Sequence, residues 1–129
     1  MLNDTLANVM SNMYNAQKKG KSQCIVAPSS KKAVKVLEIM QDHRFIGKPT
    51  VTQNRRGGIM TIPLIGAINK CAVIKPRFPV KATEFEKFEK RYLPAKDFGI
   101  LIVSTSKGMM THIEAKQKNL GGVLLAYVY

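Results

Sequence analysis

The stretch that most constrains this chain runs from Gly99 to Ala115, where an apolar run, a hydroxyl-rich turn and a helix start follow one another without a spacer. After its glycine, Gly99 to Val103 is Ile-Leu-Ile-Val, the composition of a strand buried on both faces. Thr111-x-x-Glu114 has the spacing of a capping box. In it the Thr111 hydroxyl accepts from the Glu114 amide while the Glu114 carboxylate returns to the Thr111 amide. Ser104, Thr105, Ser106, Lys107 and Gly108, between these two elements, are expected to form a strand-to-helix loop whose shape does not depend on its hydroxyls. Three hydroxyls, a cation and a glycine at such a corner suit phosphate and sugar oxygens; the same residue types also serve simply to satisfy the backbone of a turn.

Charge bears on that choice. The 21 Lys and Arg against 8 Asp and Glu leave a net charge of +13, and the cations recur along the whole chain instead of collecting in one tail. This is the electrostatic footprint of a nucleic-acid binder, with an anionic membrane surface as the competing partner. No apolar span long enough to cross a bilayer, signal-like segment or lipidation motif is present, so a cytoplasmic protein with no membrane partner is expected. With 129 residues and 45% apolar content, the chain can bury one core or two small ones that pack tightly together.

Catalytic and metal chemistry find little support. Cys24 and Cys71 lie far apart in apolar surroundings and read as reduced core thiols, while His43 and His112 have no thiols or carboxylates at ligand spacing. No metal or cofactor is expected. Walker and GxSxG motifs are missing, and Ser106 with Lys107 or His112 lacks a buried acid to orient a base. Neither an enzyme nor a small-molecule substrate is expected.

Hydrophobic periodicity organises the rest. Leu6, Val9, Met10 and Met13 make one helical stripe, with Asn3 or Asp4 as its cap and Lys18, Lys19 and Gly20 at its end. Gln23 to Ala27 reads as a strand, and Ser29 or Ser30 caps a second helix with stripe Ala33, Val36, Leu37 and Met40. Thr50 to Gln53 and Gly58 to Leu64 read as strands around an Asn54 to Gly58 turn, whose Arg55 and Arg56 are offered either to phosphate or to solvent alone. Val73 to Val80 contains two prolines and should be extended. Thr83-x-x-Glu86 is a second capping box ahead of a Phe85, Phe88, Tyr92 stripe that stops at Leu93-Pro94. A short helix from Thr111 to Asn119 should stop at Gly121-Gly122, before a closing strand from Val123 to Tyr129. The expected class is α+β, with an N-terminal αβαββ subdomain over residues 1–65 and a strand-rich α+β subdomain over residues 66–129.

Taken together, several segments resemble the small-ribosomal-subunit protein eight family in its eukaryotic and archaeal branch. They are Asn15-Ala16 with Lys18-Lys19-Gly20-Lys21, Pro28-Ser29-Ser30-Lys31, Gly66 with Asn69-Lys70, Val73 to Phe78, Ser104 to Gly108 with Met110, His112, Glu114 and Ala115, and Gly121-Gly122. The resemblance implies a non-enzymatic structural protein that binds the central domain of small-subunit ribosomal RNA beside neighbouring small-subunit proteins. It implies that Ser104 to Gly108 contacts an irregular RNA helix and that Lys18, Lys31 and Lys32 contact its backbone. Asn15, Arg55, Arg56, Asn69, Lys70 and Arg77 are further expected contacts. Short polar side chains and cations suit A-form RNA, whose narrow major groove admits no helix. The chain departs from the family's usual acidic pair and histidine at the hairpin, where it reads Thr52-Gln53-Asn54.

Overall fold

The computed structural model describes residues 5–26, 31–52, 58–74, 79–94 and 98–129. Helices and antiparallel sheets are both present, so the class is α+β. The chain divides into two compact units, Met1–Cys71 and Ala72–Tyr129.

The first unit opens with α1 (Thr5–Lys18), β1 (Gln23–Val26) and α2 (Lys31–Asp42), followed by β2 (Thr50–Thr52) and β3 (Ile59–Pro63). The sheet order is β1-β3-β2, all antiparallel. The helical stripes do what their spacing requires: Val9, Met10, Met13, Ala33, Val36, Leu37 and Met40 are completely buried, with Met60 and Ile62 from the central strand. The thiols of Cys24 and Cys71 are free and buried, and Cys71 Sγ donates to the Met10 carbonyl at 3.5 Å. Burial pushes the Cys71 thiol up to about 12 and also raises that of Cys24, where the nearby Lys21 charge pulls the other way.

Helix ends in this unit follow one pattern. The Lys21 amide donates to the Ala16 carbonyl and the Gly20 amide to that of Gln17, with Gly20 at φ 72°, which is a Schellman motif on the expected glycine. At the end of α2 the same pair of bonds forms around Arg44, at φ 63°, through Phe45 to Met40 and Arg44 to Gln41. An arginine in the left-handed region is strained, and its side chain is exposed. Arg44→Gly should therefore stabilise the protein by about 0.5–1 kcal/mol, read as a higher urea midpoint at constant slope. The caps expected at Asn3, Asp4, Ser29 and Ser30, and the Asn54 to Gly57 part of the hairpin tip, lie outside the described residues.

The second unit contains β4 (Cys71–Val73), whose first residue belongs to the first unit, β5 (Pro79–Val80), α3 (Phe85–Tyr92), β6 (Ile100–Thr105), β7 (Gly108–Thr111), α4 (His112–Gln117) and β8 (Gly122–Val128). The sheet runs β4-β8-β6-β7, with β5 also on β8. Phe85 and Phe88 of α3 and Ala115 of α4 pack with Leu101, Val103, Met110 and Leu124 of the sheet in one cluster.

Three expectations need correction here. Thr83 does not cap α3: the cap position is Glu84, whose side chain makes no capping bond. The helix end after α4 comes at Asn119, at φ 54°, in another Schellman pattern from Leu120 to Ala115 and Asn119 to Lys116, so it needs neither Gly121 nor Gly122. Those glycines answer to packing instead. A Cβ on Gly121 would lie 2.6 Å from the Val80 carbonyl oxygen, and one on Gly122 would overlap that of Ser104. They let β8 start wedged between β5 and β6. The third correction is a strand absent from the sequence reading, β7 itself.

Candidate nucleic-acid interface

Because β7 pairs with β6 from Ile102↔Thr111 to Thr105↔Gly108, the hydroxyl-rich segment is the tip of a β-hairpin and not a strand-to-helix loop. Ser104 and Thr105 end β6, half-buried; Ser106 and Lys107 form the exposed turn; Gly108 opens β7. Ser106 and Lys107 both keep negative φ, so the reversal is completed by Gly108 at φ 113°, a value that only glycine adopts without strain.

Thr105 holds this turn together. Its hydroxyl donates to the Gly108 carbonyl at 2.8 Å and accepts from the Lys107 amide at 3.2 Å. The expectation that the shape of the segment is independent of its hydroxyls therefore fails at Thr105, whose only proton is committed inside the turn. Ser106 and Lys107 are exposed at the tip that these two bonds hold together.

The far end of β7 is anchored by a buried polar group. Antiparallel hydrogen bonds alternate, and continuing the register from Thr105↔Gly108 places Leu101 opposite residue 112. The chain has already turned into α4 at that point, and Thr111 caps it by accepting from the Glu114 amide at 3.3 Å, one of the two bonds of the expected capping box. The imidazole of His112 takes over the ladder position: Nδ1 accepts from the Leu101 amide at 3.1 Å. The ring proton therefore sits on Nε2, which lies 3.1 Å from Glu89 Oε1. Lys116 Nζ pairs with the same carboxylate oxygen. His112 is 2% and Glu89 8% exposed, so this network is an internal brace between α3, α4 and β6.

Sequence reasoning missed this acid, and its expectation that no buried carboxylate accompanies the histidines is corrected by Glu89. The signal was available: Glu89 stands at the i+4 position of the Phe85, Phe88, Tyr92 stripe, where an acid has no reason to be unless it meets a partner. The pair is not a catalytic base for Ser106, because both ring nitrogens are already occupied.

The five hairpin residues are the candidate contacts that the structure gathers in one place. Asn15 and Lys18 are exposed on the last turns of α1, with Lys18 Nζ 5.3 Å above the Tyr14 ring. Lys31 and Lys32 open α2, the first exposed and the second half-buried. Asn69 and Lys70 are exposed just before β4. Arg55, Arg56 and Arg77 lie outside the described residues. Among the described residues no group of three His, Cys, Asp or Glu side chains is placed to hold a metal, and no helix is long and apolar enough to cross a membrane.

Strong positive charge on an α+β protein, with hydroxyls and a cation on an exposed hairpin, fits the class of RNA-binding structural proteins. The family model for ribosomal protein S8 matches residues 4–129, and the chain belongs to that family of small-subunit, ribosomal-RNA-binding proteins. It is a family of structural ribosomal proteins and not of enzymes.

Proposed function

We infer that the chain acts in the small ribosomal subunit in the cytoplasm, where it binds the central domain of the ribosomal RNA and supports subunit assembly and translation beside neighbouring small-subunit proteins. The β6–β7 hairpin is the principal contact, with Ser104 and Ser106 hydrogen-bonding sugar and phosphate oxygens and Lys107 neutralising phosphate. Asn15, Lys18, Lys31, Lys32, Asn69 and Lys70, with Arg55, Arg56 and Arg77, supply contacts from the rest of the chain. The observation that carries this reading is the exposed Ser106-Lys107 tip, rigidified from within by the Thr105 hydroxyl. A preorganised donor gives up little entropy when it meets its acceptor.

Titration with a small-subunit central-domain RNA fragment tests it. Ser106→Ala should weaken binding by about 0.5–1.5 kcal/mol and leave the melting temperature unchanged. Thr105→Val should lower both, the stability by about 1 kcal/mol, since it opens the turn. Unchanged RNA affinity for Ser106→Ala and Lys107→Ala together would remove the hairpin from the interface.

A backbone-dominated interface also requires log affinity to fall steeply and linearly with log salt, because each neutralised phosphate releases condensed counterions. Lys31→Ala with Lys32→Ala should make that slope shallower by about two counterions if both lysines meet phosphate. A flat dependence in the unsubstituted protein would contradict the reading.

A further inference from the structure

The first unit contains a cleft between α1 and β1 that the hairpin-centred reading leaves without a role. Asn12, Asn15 and Ala16 stand at i, i+3 and i+4 on α1, so they share one face of the helix, and they line this cleft with Lys19, the residue just past the helix end. Ala16 is the small residue of the stripe and, with Cys24, gives the cleft apolar walls. Lys19 and Lys21 bring two cations to it. The cleft holds about 680 Å³, within the range of roughly 300–1,000 Å³ of small-molecule sites.

The opposite wall is the edge strand of the β1-β3-β2 sheet. The Leu64 amide donates to the Ser22 carbonyl at 2.9 Å, so Ser22 and Leu64 are a hydrogen-bonded pair. Alternation then turns the N–H and C=O groups of Gln23 and Ile25 away from β3. Both residues line the cleft, and the Ile25 side chain is 60% exposed although it is large and apolar.

We propose that this cleft receives one unpaired nucleotide of the bound RNA. Each part of a nucleotide has a partner there. The exposed Ile25 side chain offers an aliphatic surface against which a base can pack. The Asn15 and Gln23 amides and the outward peptide groups of β1 provide paired donors and acceptors for its edge. Lys19 and Lys21 meet the phosphates on either side. An acidic peptide adding a strand to β1 would use the same edge, but it would leave the amide stripe of α1 without a purpose. The proposal rests on the chain's binding of ribosomal RNA and not on the hairpin.

The test uses the full chain, labelled with ¹⁵N, and the four nucleoside monophosphates as probes. Saturable shifts of the Gln23 and Ile25 amides that depend on the base are expected, lost in Gln23→Ala with Ile25→Ser; both positions are exposed, so the fold should survive. No shift with any nucleotide would overturn the proposal. The same shifts with inorganic phosphate alone would reduce the cleft to a cation patch, and shifts with an oligoglutamate peptide but not with nucleotides would reassign it to a strand-adding partner; either result overturns the proposal. In parallel, Gln23→Ala with Ile25→Ser should weaken binding of the central-domain RNA fragment by roughly tenfold, as expected for the loss of one apolar contact and one hydrogen bond to a base. Affinity lost with the cleft variant but kept in Ser106→Ala with Lys107→Ala would sustain this site and reject the hairpin. The reverse would reject this site and sustain the hairpin.

Discussion

Gly122→Val is expected to destabilise the protein by about 3 kcal/mol or more and to weaken RNA binding with it. A side chain at this position has no free volume: its first carbon would overlap the Ser104 carbonyl oxygen and approach a Val103 methyl to 3.0 Å. The nearest obstacle is backbone at the centre of the sheet, and it cannot rotate out of the way as a side chain would. The β6–β8 ladder, which pairs Thr105 with Gly122 and Ser104 with Val123, must open beside the tip of the β6–β7 hairpin. Gly108→Ala provides the contrast. It meets nothing within 4 Å, and only its φ of 113° opposes it, so it should cost about 1–2 kcal/mol. Thermal melts of the two variants compare steric overlap with backbone strain on the two sides of Thr105, which pairs with both glycines. Equal melting temperatures would show that β8 is free to shift away from β6.

His112→Leu should cost about 3 kcal/mol, the second large effect. It removes the acceptor of the Leu101 amide on the fully buried part of β6, and it takes one of two described partners from the Glu89 carboxylate. Glu89→Leu should be similarly costly, since it removes the carboxylate that faces His112 Nε2 and pairs with Lys116. The double variant should lose clearly less than the sum, because each single change already breaks the shared contact. Additive losses would show that Glu89 and His112 act independently. RNA affinity at a temperature where all variants remain folded separates stability from function: the brace lies behind the hairpin, so affinity should change far less than the melting temperature.

The elements built from local rules were legible before the fold was known. The α1 and α2 stripes, the glycine end of α1, the Thr111 cap and the stop of α3 before Pro94 depend on residues within one or two turns of each other. Hydrophobic period and capping chemistry act at that range. Leu93 is extended because a proline follows it, and this needs no tertiary partner. The basic, hydroxyl-bearing character of the candidate interface was legible for the same reason: it is carried by residue types in one short segment.

The misread features all depend on partners distant in the chain. β7 is only four residues long and contains no β-branched residue until Thr111, so its strand character comes from β6. Thr83 has the spacing of a cap, yet helix α3 begins one residue later, where Phe85 and Phe88 reach the core of the second unit. Gly121 and Gly122 resemble a helix stop, but Asn119 had already ended the helix and the glycines exist for two neighbouring strands. Glu89 and His112 are 23 residues apart, and nothing local explains either.

By itself, the sequence determined the α+β class, the helical stripes with the glycine end of α1 and the Thr111 cap, the charge that points to RNA, and the family. Tertiary structure alone decided that the hydroxyl segment is a braced hairpin, that Thr105 belongs to its framework while Ser106 and Lys107 face outward, and that a histidine completes a strand ladder. The division follows from the range of the forces. Backbone propensity and side-chain period act over a few residues, whereas strand pairing, close backbone approach and buried charge pairs exist only once distant segments meet.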